Sequence, residues 1–70
     1  MLSFEECVKM RKDYGIRSED IARHLGITRQ AVCQAERQGH YVRADEYRDA
    51  LRAELVRMNE AIKAAMEVTR

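Results

Sequence analysis

SEDIARHLGITRQAVCQAER, residues 18–37, is the stretch on which the fold of this chain turns. Ile21, Ala22 and Leu25 stand at helical spacing on one face, Gly26 follows, and Ile27, Val32 and Ala35 form an answering face. Apolar residues recurring every three or four positions mark a helix that buries one side. A glycine just past the last of them marks a stop, because glycine enters the left-handed region at little steric cost. The stretch therefore reads as two short helices, about 18–25 and 28–38, joined by a tight turn. Ser18, followed by Glu19 and Asp20, starts the first, and Thr28 caps the second with its side-chain oxygen.

Upstream lies another helix, about 3–14, with its own start signal. Ser3 and Glu6 make the S-x-x-E capping box, and Leu2 and Cys7 fall at the positions of a hydrophobic staple. Phe4, Cys7, Val8 and Tyr14 share a face, with Arg11 near its edge. Gly15 ends this helix and Gly39 ends the third, so all three glycines of the chain fall just past an expected helix end.

Downstream, Tyr41 and Val42 are expected to pack beneath the three helices. A long helix then runs from about 44 to 68 without glycine or proline. Leu51, Leu55, Met58, Ile62 and Ala65 step by four, three, four and three residues, and Tyr47 and Ala44 continue the stripe backwards. That is a heptad-like seam. Asp45–Arg48, Asp49–Arg52, Glu54–Arg57, Glu60–Lys63 and Glu67–Arg70 place an acid three residues before a base, which makes the polar face near neutral and poorly suited to DNA or an anionic membrane. Such a helix is for packing. At about 37 Å it outreaches a three-helix head. Its first turns, around Tyr47 and Leu51, are expected to close over the head. Its far end, from Leu55 through Met66, is expected to meet a second copy, since an apolar stripe left in water marks an interaction site.

The 70 residues are enough for one domain, and a core of that size commonly needs help from oligomerisation, metal or disulfides. Cys7 and Cys33 are too few for a zinc site or a disulfide framework and read as free thiols. No signal peptide and no membrane-spanning run is found, and proline is absent. The expected fold class is all-α: a three-helix head followed by a long C-terminal dimerisation helix, with residues 1–70 as a single domain. The formal net charge of +1 does not announce a nucleic-acid binder. Its distribution is more informative, because Arg23, Arg29, Arg37 and Arg43 stand between Ile21 and Arg43 against a single acid, Glu36.

Set against the twenty-residue helix-turn-helix pattern, IARHLGITRQAVCQA resembles the small Cro-like and plasmid-repressor families, and small phage regulators paired with anti-CRISPR genes look similar at this level. The fifth position is small (Ala22), the ninth is Gly26, and Ile21, Leu25, Ile27, Val32 and Ala35 hold the apolar positions. The likeness spans about a third of the chain. Ala35 departs from it, since a bulkier apolar residue is commoner there, and Tyr47 or Leu51 is expected to fill the space.

The resemblance implies a head whose second motif helix enters a DNA major groove. Thr28, Arg29 and Gln30 would occupy the entering turn, with Cys33, Gln34 and Arg37 one turn further on. Arg29 has the fork to grip guanine or a phosphate, and Gln30 presents both a donor and an acceptor to adenine. Gln34 is a further base reader and Arg37 a phosphate contact, while Thr28 meets a phosphate or a thymine methyl. Arg17, Arg23 and Arg43 flank the motif, and His24 and His40 are ordinary surface residues or phosphate contacts. Leu51, Leu55, Met58, Ile62 and Ala65 are the dimerisation candidates.

No catalytic constellation stands out, so no enzyme, cofactor, metal or small-molecule effector is expected. The expected function is a homodimeric transcriptional regulator, a repressor that reads an inverted repeat in double-stranded DNA in the cytoplasm of a bacterial or phage-infected cell. The alternatives are a protein-interaction and oligomerisation module, or an architectural or excision accessory protein that bends its site.

Overall fold

Two side-chain caps open the helices that the sequence marks most clearly. The computed structural model describes residues 2–68. It forms α1 (Phe4–Asp13), α2 (Ser18–Leu25), α3 (Arg29–Gln38) and α4 (Ala44–Val68), with no strand among the described residues. At α1 the Ser3 hydroxyl accepts from the Glu6 amide at 3.1 Å, and the Glu6 carboxylate accepts from the Ser3 amide at 2.9 Å. At α3 the Thr28 hydroxyl accepts from the Ala31 amide at 3.1 Å.

α2 starts differently from expectation. Ser18 is already helical, and the capping position falls on Arg17, whose extended backbone carries no side-chain cap bond. The acids Glu19 and Asp20 meet the positive end of the helix instead, and Arg17 pairs with Glu19 at 3.1 Å. Gly26 then reverses the chain at φ +69°, and residues 26–28 alone join α2 to α3.

The core gathers residues from all four helices. Ile21, Val32, Tyr47, Leu51 and Cys7 are its largest fully buried side chains, with Phe4, Met10, Ile27, Tyr41, Leu55 and Met58 packed around them. Removing one such aliphatic side chain from water is worth about 1.5–3 kcal/mol. Phe4 anchors the aromatic part, its ring 5.0 Å from Tyr47 edge-on and 6.1 Å from Tyr41. The expected placement of Tyr41 is met, but that of Val42 is not. Val42 is 85% exposed, standing in the turn at residues 42–43 that precedes α4. Tyr14 likewise lies exposed, at the C-cap of α1 and not on its buried face.

Arg11 belongs inside. Its Nε and Nη2 donate to the two carboxylate oxygens of Glu36 at 2.7 and 2.8 Å, and Nη1 donates to the Ile16 carbonyl at 2.7 Å. The Tyr47 hydroxyl donates to the same carboxylate at 2.6 Å. Burial works to lower the Arg11 pKa, but Glu36 beside it outweighs that and holds it above its ordinary value. Burial and the neighbouring Glu36 both push the Tyr47 hydroxyl up, so it stays a donor. A charge pair this buried stands only if its remaining hydrogen bonds are met. Among the described residues no buried side-chain nitrogen or oxygen lacks a partner. The network ties α1, α3 and α4 together at one point.

A second tie joins α2 to α4. His24 Nε2 lies 2.8 Å from Glu54, and Arg57 donates to the other Glu54 oxygen at 2.6 Å. Burial raises the Glu54 pKa, and the bonds from Arg57 and His24 together more than reverse it, leaving the carboxyl below its ordinary value. Beyond Met58 α4 leaves the head. The molecule measures 46 × 25 × 16 Å, its long dimension reflecting that projection. No described helix is long and apolar enough to cross a membrane.

Candidate nucleic-acid interface

α2 lies against both α3 and α4, so α3 is braced from behind. Val32 and Ala35 face inward, and positions 30, 34 and 37, spaced by four and three, come to the opposite side. Gln30, Gln34 and Arg37 are all exposed there. None of the three is engaged in an ion pair or a side-chain hydrogen bond among the described residues. Arg29 is exposed at the first turn of α3 beside Thr28, whose hydroxyl is already committed to capping the helix. The positive end of the α3 dipole is presented at the same place.

The electrostatics of this face depend on Glu36. It is the one acid between Ile21 and Arg43, and its carboxylate is buried against Arg11 on the inner side of α3. The exposed Arg37 on the outward side and the exposed Arg29 at the first turn therefore have no ion-pair partner among the described residues. The near-neutral total of the chain does not describe this surface.

The other candidates are placed elsewhere, held by partners or set beside α3. Cys33 is half-buried, its thiol donating to the Ser18 hydroxyl at 3.7 Å, so it lies at the α2–α3 contact and not in line with Gln34. Arg43 closes the end of α2, donating to the Leu25 carbonyl at 3.1 Å while pairing with Glu46. It satisfies a carbonyl that the last helical turn leaves open. His24 is tied to Glu54 at the back of the head. Arg23 stays exposed, 3.5 Å from Asp20 one turn away. His40 is exposed and borders a shallow recess beside α3 with Gln34 and Gln38.

The seam candidates divide. Leu51 is 2% exposed within the single chain, so it belongs to the head's own core and is not available as a free dimer contact. Leu55 and Met58, expected to need a second copy, already pack partly against that core. Ile62 is 52% exposed and Ala65 is exposed too. Tyr47 reaches α3 through its bond to Glu36, the neighbour of Ala35 in sequence. Among the described residues two of the five expected acid–base pairs on α4 are formed, Asp45–Arg48 and Glu54–Arg57, and Arg70 of a third lies outside them.

Sequence reasoning missed the structural roles of Arg11, His24 and Arg43. Only Arg11 carried a signal, in its place near the edge of the buried face. Cys7 is buried and both cysteines are free. No group of three His, Cys, Asp or Glu side chains among the described residues could hold a metal ion. Comparison of the chain with protein-family models, with curated proteins and with solved structures found no match.

Proposed function

We propose that this chain is a sequence-specific DNA-binding transcriptional regulator, a homodimeric repressor whose α2 and α3 act as a helix-turn-helix. The observation that carries the reading is the exposed stripe Gln30–Gln34–Arg37, flanked by Arg29, on a helix locked from behind by a buried ion pair. Unengaged glutamines and arginines at that spacing are suited to base edges and phosphates. In a major groove, Gln30 would pair with adenine through its amide. Arg29 and Arg37 would hold phosphates or a guanine, fixing the register in which Gln30 and Gln34 read. Two such heads related by a two-fold axis would enter successive grooves about 34 Å apart and cover an inverted repeat. Repression would follow from occupying a promoter that polymerase requires.

The direct test is a gel shift of the purified protein with the DNA upstream of its own gene against random duplex at moderate salt. A preference for the upstream DNA is expected. Equal retardation of both duplexes would remove the operator claim.

One observation favours a second reading, a protein-interaction module: the total charge is only +1. The two readings differ in salt dependence. Phosphate contacts release counterions, so DNA binding must weaken steeply as salt rises.

A further inference from the structure

We infer that the homodimer forms by antiparallel pairing of two α4 helices, the bare end of each lying in an apolar groove on the head of the other. The inference rests on the homodimer proposed above and adds its geometry. The groove runs between α1 and α4 and encloses about 330 Å³. Leu2, Met10 and Leu55 line it above the buried Leu51, and Arg48 and Arg52 form its rim. It continues along α4 into the exposed Ile62, because 51, 55, 58 and 62 follow one helical stripe.

Three features select this occupant and this direction. The first is shape. Near Leu51 and Leu55, α1 stands beside α4 and makes the surface concave, whereas beyond Met58 the described α4 is a bare ridge. Parallel helices would set hollow against hollow and ridge against ridge, leaving voids that a packed interface does not tolerate. Antiparallel helices set each ridge into a hollow. The second is the spacing of the stripe. A two-fold axis between Met58 and Asn59 brings Ile62 of a second copy level with Leu55, so the stripe meets itself in reverse, as a two-fold interface requires, and it sets the small Ala65 level with Arg52 of the rim. The third is charge. Residues 59–67 carry Glu60 and Glu67 against Lys63 alone, a net −1, and they would meet a rim of Arg48 and Arg52. Arg52 is exposed and, among the described residues, takes part in no ion pair.

Light scattering and cysteine cross-linking test this on the full chain. The protein should run at twice its 8.2 kDa, and Ile62→Glu should return it to 8.2 kDa with unchanged helical circular dichroism. In a Cys33→Ser background, Met58→Cys should form a disulfide-linked dimer under mild oxidation, because position 58 lies on the stripe beside the axis and meets its own copy there. Ala65→Cys should not, since antiparallel pairing holds its two copies about 20 Å apart at 1.5 Å of rise per residue, well beyond disulfide reach. Efficient cross-linking through Ala65→Cys would show a parallel dimer and overturn this inference while leaving the proposed dimeric regulator standing. A mass of 8.2 kDa for the unaltered chain at all concentrations would overturn the homodimer itself.

Discussion

Glu36 serves two ends with one carboxylate. By accepting from Arg11 and Tyr47 it pins three helices, and by turning inward it leaves the outer side of α3 basic. Glu36→Ala would strand the Arg11 guanidinium in the core, which is expected to cost about 3–5 kcal/mol in urea unfolding. Tyr47→Phe removes one bond to a charged acceptor and should cost about 1.5–3 kcal/mol by the same measurement. Gln30→Ala should do the reverse. It should leave stability unchanged and cost about 1–3 kcal/mol in binding to the specific DNA, read by fluorescence anisotropy, with preference relaxed at one base pair. At this scale the sequence was readable where a residue acts on its near neighbours. Ser3, Glu6 and Thr28 cap as their spacing implies, and Gly15, Gly26 and Gly39 all take positive φ. It was opaque for Arg11, His24 and Arg43, whose partners lie 25, 30 and 18 residues away and are chosen by packing.

Among the elements, the helix stops and the tie between α2 and α4 set how firmly α3 is held. Gly26 has open space where a side chain would go, so Gly26→Ala meets only the left-handed backbone penalty. A loss of about 1–2 kcal/mol is expected in thermal or urea unfolding. The Glu54 tie is sensitive to acid. Its pKa in the folded chain lies below the ordinary 4.5, so it stabilises the fold above 4.5 and loses that contribution as pH falls through the folded value. The urea midpoint should therefore drop more between about pH 6 and about pH 3 in the unaltered chain than in Glu54→Gln, which has no carboxylate to protonate. Equal drops would show that the tie adds nothing. The helices themselves were legible because their apolar spacing and glycine stops are local. How α4 divides between head and projection was not, because periodicity alone cannot tell a stripe buried by its own domain from one awaiting a partner.

For the whole molecule, the charge total misleads and its placement informs. With Arg29 and Arg37 exposed and Glu36 buried, the proposed binding to DNA should fall steeply with salt, and Arg37→Ala should flatten the log–log slope by about one unit. A slope unchanged by that substitution would take Arg37 off the phosphate backbone. The division of α4 also has a kinetic consequence. Its amides from Tyr47 to Glu54 lie under the buried core, whereas those from Ala61 to Glu67 belong to turns whose side chains are exposed. Hydrogen exchange along this single helix should therefore run on two clocks. The near half should open only with the whole protein, and the far half should open by local fraying that slows as protein concentration rises.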